Sequence, residues 1–254
     1  GNPVLHRPSG RGGRARRIIA VTATGARDIE AVLFDFSGTL FRLEEHPSWF
    51  DGICGADGTP VDGAAAAELM RRMTAPVGET VEFDEQTRHA WRHRDLDPAL
   101  HRRAYLHVLE QSGVTDPAQA ESVYGRVIDA DCWTPYPDTE AVLKLLAAES
   151  IRVGILSNIA FDIRPAFTDR NLHEYVDEFV LSFEVGQVKP NPEIFRHAVA
   201  ALGVDPSVTL MVGDSAEADG AAREIGCSFA LVDPVPTAER PDALLAALSA
   251  FGIR

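Results

Sequence analysis

Cysteine is scarce in this chain: Cys54, Cys132 and Cys227 lie far apart, with no CxxC pair. Three such residues build neither a disulfide framework nor a four-cysteine zinc site, and the usage suits a reducing cytoplasm. Lysine is rarer still, with only Lys144 and Lys189 among 24 basic residues, so a lysine at a meaningful place is less an accident here. No apolar run reaches the roughly 18 residues of a membrane-spanning helix. Positive charge is also in deficit: 24 Lys and Arg against 38 Asp and Glu leave a net charge of −14. That is the wrong sign for sequence-independent nucleic-acid binding. What is present is ordinary for a folded protein, 45% hydrophobic and 24% charged residues over 254 positions. This length suits one large domain or a core with an inserted module.

The charge is segregated. Residues 1–27 hold six arginines and no acid, which leaves −20 on the remainder. Their mixture of Gly, Pro, Ser and Arg lacks hydrophobic period, so residues 1–28 are expected to form a disordered basic tail. Arg16-Arg17 before Ile18 to Val21 faintly resembles an export signal. The apolar stretch is short and soon reaches Thr, Gly and Arg, so a solvated leader or an over-long start is the preferred reading.

From Glu30 the pattern changes. Ala31-Val32-Leu33-Phe34 is a short apolar run ending in Asp35, as expected of a parallel strand buried on both faces. Similar runs occur at Val153 to Leu156, Phe179 to Leu181, Val208 to Val212 and Phe229 to Val232. Helical patterns separate them. Residues 139–149 form one, Asn191-Pro192 opens and Gly203 closes another, and Ser215 to Ile225 is expected to be a third, stopped by Gly226. Strands alternating with helices predict an α/β fold, a three-layer Rossmann-like core with a parallel sheet, from residues 29–41 and 136–254. Residues 42–135 contain no convincing strand. Asp97-Pro98 and Asp116-Pro117 look like helix starts and Gly113 like a helix end, so an inserted all-helical module is expected there.

In an open parallel sheet, ligands bind outside the carboxyl ends of the strands. The polar residues after each apolar run are Asp35 with Ser37, Gly38 and Thr39, then Ser157 and Asn158, then Lys189, then Asp214, Ser215 and Asp219. Asp35 and Asp214 brought together would repel, and each pKa would rise unless a cation lay between them. A hard divalent cation such as Mg²⁺, with oxygen ligands, resolves that conflict. The remaining positive charge and donors suit a phosphoryl group. Each residue has an ordinary rival: an aspartate after a strand is common in turns, Ser157-Asn158 suits a turn pair, and Asp219 suits a helix surface.

FDFSGTL (Phe34–Leu40), LSN (Leu156–Asn158), KPNPEIF (Lys189–Phe195) and GDSAEAD (Gly213–Asp219) resemble, in order, the four motifs of the haloacid dehalogenase-like hydrolase superfamily. Four in order, each after a strand, are specific where one alone is weak. The insertion matches the place and helical character of the family's cap. The resemblance implies Asp35 as nucleophile, forming an aspartyl intermediate that water later hydrolyses. It implies Mg²⁺ held by Asp35, the Ser37 main-chain oxygen and Asp214, with Asp219 a more distant or water-mediated ligand. Ser157 and Asn158 would hold phosphoryl oxygens, Lys189 would neutralise charge beside Asp35, and Thr39 would brace a loop whose turn Gly38 permits. The implied substrate is a small phosphorylated metabolite, and no nucleic-acid or membrane partner is expected.

One departure matters. Most phosphatases of this family carry a second aspartate two residues after the nucleophile, as acid and base; here that position is Ser37. A serine hydroxyl is a poor acid near neutral pH, and such help is worth about 10²–10⁴-fold. The expectation is a slow phosphatase on alkyl esters, one suited to good leaving groups, or an acid supplied by the cap. Phosphonate hydrolases of the superfamily use a cap lysine, and residues 42–135 contain none. The metal-independent 2-haloacid dehalogenases lack an acid at the position of Asp214, so a dehalogenase is the lesser alternative. A phosphate-sensing or regulatory protein is another.

The insertion also holds Arg88, His89, Arg92, His93, Arg94, His101, Arg102, Arg103 and His107. A lid that recognises an anionic substrate is one reading, and a solvated face on an acidic protein is the preferred one. His89 and His93 lack the accompanying carboxylate that would mark a metal site. Trp49, Trp91 and Trp133 are read as packing residues, and Phe161-Asp162 are given no substrate contact.

Overall fold

The computed structural model describes residues 28–44, 46–74 and 81–254. The basic tail of residues 1–27 therefore lies outside the described residues. The four residues of β1 (Ala31–Phe34) are fully buried and occupy the centre of a parallel sheet. Its partners are β4 (Arg152–Ser157) and β6 (Thr209–Gly213), with Val32 opposite both Val153 and Leu210. β5 (Glu178–Leu181) flanks β4 and β7 (Ser228–Leu231) flanks β6, giving the order β5-β4-β1-β6-β7. Strand connections run from β1 toward both edges, so a crevice opens at the carboxyl ends of β1, β4 and β6, where such sheets bind ligands.

Alternation along β1 sorts the two helical layers. Val32 and Phe34 face α5 (Thr139–Ala148) and α9 (Ala243–Ala250), packing with Val142, Leu146, Leu244 and Leu248. Ala31 and Leu33 face α8 (Pro192–Leu202) and pack with Ile194, Phe195 and Leu202. Asn191 caps α8 by accepting the Glu193 N–H at 3.0 Å, and Gly203 ends it in the left-handed region. Short helices α6 (Arg164–Thr168) and α7 (Ser182–Val185) follow β4 and β5.

The insertion contributes α1 (Gly63–Thr74), α2 (Glu85–Arg92), α3 (Pro98–Gln111) and α4 (Pro117–Ile128). Asp97 and Asp116 cap α3 and α4 with proline in the first turn, as their dipeptides predict. Two expectations are corrected. The segment is not free of strand, because β2 (Phe41–Leu43) and β3 (Trp133–Pro135) pair antiparallel at its base. Three residues are too few to show a period, and their partners lie about ninety positions apart. Ser215 to Ile225 is also not one helix. A turn is followed by a 3₁₀ helix from Gly220 to Ile225. The Asp219 and Gly220 amides both close on the Ser215 carbonyl, at 2.9 and 3.2 Å, so the ladder does not advance one carbonyl per residue as an α-helix requires. All three cysteines are free thiols. Among the described residues no helix is long and apolar enough to cross a membrane.

Candidate active site

Asp35 leaves the end of β1 with its amide still in the sheet, donating to Val212 O at 3.0 Å. The chain then folds sharply back: the amides of Thr39, Leu40 and Phe41 converge on the Phe36 carbonyl at 3.0–3.3 Å. Gly38 has φ +77°, and a Cβ there would lie 2.9 Å from the Pro234 Cβ and overlap the Asp214 carboxylate. Only glycine lets the loop turn and Asp214 approach together. Beneath the loop, Phe36 stacks on Phe41 and packs against Trp133, with centroids 4.9 and 5.1 Å away.

Lys189 enters from the segment before α8. The Asn158 amide oxygen accepts the Lys189 N–H at 2.8 Å, and its Nδ2 donates to the Lys189 carbonyl at 2.9 Å. Asn158 therefore positions the lysine segment, whose peptide to Pro190 is cis. The lysine Nζ donates to Asp35 Oδ1 at 3.0 Å, Asp219 Oδ1 at 2.6 Å and Leu156 O at 2.9 Å. All three ammonium hydrogens are committed. Burial pulls the Lys189 pKa down, but the charges of Asp219 and Asp35 outweigh it, and the net shift is upward. Thr39 Oγ1 donates to the other Asp35 oxygen at 3.2 Å. Two side chains therefore fix the rotamer of Asp35.

Asp214 follows β6. With Asp35 and Asp219 it places three carboxylate oxygens within 4.8 Å of one another. Burial, then the charges of Asp35 and Asp219, push the Asp214 carboxyl up to about 8. Burial also raises Asp219 to about 6, against the pull of Lys189. These are the shifts of acids crowded without enough compensating charge. Hard oxygen donors at the ends of adjacent strands suit a divalent cation such as Mg²⁺, and Asp35, Asp214 and Asp219 are the carboxylates close enough to share one. Asp219 is 1% exposed and its oxygens accept from Lys189 and the Ser215 amide, as those of Asp35 accept from Lys189 and Thr39.

These groups open on a cavity of about 370 Å³ that Ser37, Ser157 and Asn158 also line. Of the residues singled out after the strands, all line this cavity except Gly38, which makes the loop's turn, and Thr39, which touches Asp35 from outside the cavity wall. Of the nine Arg and His residues between Arg88 and His107, Arg94 and His101 line this cavity and the other seven do not. His101 is no cation here: burial, then Arg94, push its pKa down to about 3. Its ring stacks on Tyr105, and Nδ1 lies 2.9 Å from the Tyr124 hydroxyl. Its spacing with Ala104 and Val108 on α3, both buried, is the signal that could have separated it from the solvated face. Trp133 packs in the core and lines the cavity as well, and so does Phe161.

Sequence reasoning passes over Arg240. Buried behind the β1 loop, it donates to the carbonyls of Gly38 and Thr39 and to Asp233 O at 3.0 Å, with its guanidinium 3.2 Å from the centre of the Tyr136 ring. An isolated arginine among the acids of the last segment carries no recognisable pattern.

A family model described as haloacid dehalogenase-like hydrolase matches residues 29–226. Phosphoserine phosphatase from Thermus thermophilus is 29% identical over 143 residues, 56% of this chain and 57% of that protein. The chain thus spans little more than half of that relative's length. Haloacid dehalogenase-like hydrolase domain-containing protein 3 from Bos taurus is 29% identical over 222 residues, 82% of this chain and 84% of that protein. In fold, the chain is similar to L-2-haloacid dehalogenase from Xanthobacter autotrophicus with chloropropionic acid covalently bound, at TM-score 0.59 and 23% identity, covering 89% of this chain and 84% of that one. With a model spanning the core motifs and the insertion between them, this chain belongs to the haloacid dehalogenase-like hydrolases.

Proposed function

We propose that the protein is a Mg²⁺-dependent phosphatase acting on a small phosphorylated metabolite, with Asp35 as the covalent nucleophile. The observation that carries this reading is the crowding of Asp35, Asp214 and Asp219 within 4.8 Å, with Lys189 bonded to Asp35. The acid at position 214 favours it over a metal-independent dehalogenase, and the Thermus relative is by name a phosphatase.

Asp35, held by Thr39 and Lys189, directs an oxygen at phosphorus and forms the aspartyl-phosphate that water then hydrolyses. Lys189 stays charged and offsets the negative charge gathered around Asp35. The Ser157 hydroxyl and the second Asn158 Nδ2 hydrogen hold phosphoryl oxygens. Mg²⁺, when bound, would supply positive charge that polarises the phosphoryl group. Ser37 contributes its main-chain oxygen and no acid, so an alkoxide leaving group must draw its proton from elsewhere.

Phosphate release from p-nitrophenyl phosphate, with Mg²⁺ and with EDTA, tests the assignment. Release that requires Mg²⁺ is the expected result. Halide release from 2-chloropropionate with EDTA and no phosphate release would replace it with the dehalogenase reading, and phosphate binding without turnover would leave a sensor.

A second prediction concerns pH. Asp214 and Asp219 have folded-state values raised to about 8 and about 6, whereas an unfolded aspartate releases its proton near pH 4. Between these limits the folded chain binds more protons, so its stability falls as pH rises. The melting temperature in EDTA should drop by about 5 °C or more between about pH 5.5 and about pH 8. Mg²⁺ should stabilise the protein more at the higher pH, where the carboxylates are free of protons. A melting temperature in EDTA that does not fall across that interval would contradict the crowding argument.

A further inference from the structure

Expelling an alkoxide from phosphorus requires a proton, and the groups around Asp35 are badly placed to give one. The three Lys189 hydrogens are committed and its pKa is raised. Thr39 donates to Asp35. Ser37 is a hydroxyl, and Asp214 is a ligand in the proposed reading. Two carboxylates in the cavity remain without a role, Asp95 and Glu217. Glu217 lies exposed in the turn after β6.

Asp95 comes from the insertion, in the segment joining α2 to α3, and that segment is held at both ends. Leu96 N–H donates to His93 O at 3.0 Å, and Asp97 caps α3 through the Ala99 N–H at 2.7 Å. Arg94 bonds Trp91 O at 2.7 Å and lies 4.1 Å over the Trp91 ring. The Asp95 carbonyl accepts from the Ser182 hydroxyl, whose oxygen accepts the Ile159 N–H at 2.8 Å. Ile159 directly follows Ser157 and Asn158. One serine therefore ties the Asp95 segment to the segment that would hold the phosphoryl oxygens.

Resting on the phosphatase reading, we infer that Asp95 is the proton donor to the leaving oxygen, standing in for the acid that the β1 loop lacks. As the bond from Asp35 to phosphorus forms and the ester P–O bond breaks, the Asp95 carboxyl gives its proton to the departing alkoxide. The alcohol, aspartyl-phosphate and Asp95 carboxylate result. Water then cleaves the aspartyl-phosphate, giving inorganic phosphate and the Asp35 carboxylate, and the Asp95 carboxylate recovers its proton from solvent. The charged and titratable groups facing Asp95 are Arg94, Lys189 and Tyr105, with neutral His101 on the same wall. Burial raises the Asp95 pKa against the pull of Arg94 and Lys189, the direction an acid needs.

The test compares an aryl ester, p-nitrophenyl phosphate, with an alkyl ester, glycerol phosphate, using the full chain with Mg²⁺. Asp95→Asn should lower kcat on the alkyl ester by about 10²–10³-fold and on the aryl ester by less than about fivefold, since nitrophenolate leaves without a proton. Adding Ser37→Asp to Asp95→Asn should recover alkyl-ester turnover by about tenfold or more. In the wild type, kcat on the alkyl ester should fall at high pH with an acid limb that the aryl ester lacks, a readout needing no variant. Equal loss on both esters, no loss on either, the selective loss in Glu217→Gln instead, or identical pH profiles would each overturn the assignment. If the wild type releases phosphate from neither ester, the phosphatase reading itself fails.

Discussion

Asp35→Asn is expected to lower Mg²⁺-dependent phosphate release by about 10⁴-fold or more, the scale seen when a covalent nucleophile is removed. The substitution is nearly isosteric, and an asparagine oxygen can still accept from Lys189, now 3.0 Å from Asp35 Oδ1. It also removes one of three acids crowded within 4.8 Å. The variant should therefore melt no lower than the wild type in EDTA, because less like charge is buried. Loss of activity with an undiminished melting temperature separates a chemical role from a structural one. Residual activity within about tenfold of wild type, or failure to fold, would remove Asp35 from the nucleophile's role.

Lys189→Met should have the largest effect on stability. Lys189 is 5% exposed, and its ammonium serves Asp35, Asp219 and the Leu156 carbonyl. Removing one partner of a buried pair leaves an uncompensated charge, a loss of about 3–5 kcal/mol. For a chain of this size that corresponds to roughly 6–20 °C in melting temperature. Adding Asp219→Asn should recover part of the loss, since it deletes the orphaned charge. Lys189→Arg should not restore the wild type: a planar guanidinium is larger than an ammonium and cannot reproduce three bonds converging on one nitrogen. The other lysine is the control. Lys144 pairs with Glu140 at 2.5 Å, but the side chains are 53% and 62% exposed, so Lys144→Ala should leave the melting temperature unchanged. A small effect at Lys189 would mean that the acids around it are already neutral.

Much of the architecture is legible because its signals are local. A parallel strand buried on both faces is a continuous apolar run, and β1, β4, β5, β6 and β7 all lie where such runs occur. The Asp-Pro and Asn-Pro starts of α3, α4 and α8 are read from two residues, because a capping oxygen and a fixed φ act within one turn. Asp35 and Asp214 stand out because each directly follows a run or its last glycine. The β2–β3 pair is hidden by its length, and the 3₁₀ turn after β6 because two successive amides close on the Ser215 carbonyl, which the residue pattern does not show.

The chain by itself determined the order of the elements and the identity of the groups at the strand ends, since both follow from apolar period and capping chemistry along a few residues. Tertiary structure alone decided what those groups do to one another. It committed Lys189 to three acceptors, set Asp219 against both Lys189 and the Ser215 amide, and put Arg240 behind the Gly38 carbonyl from 202 positions away. It also separated Arg94, Asp95 and His101 from their solvated neighbours. Distances of this kind depend on how sheet and insertion pack, and electrostatic coupling follows separation in space, for which spacing along the chain is no guide.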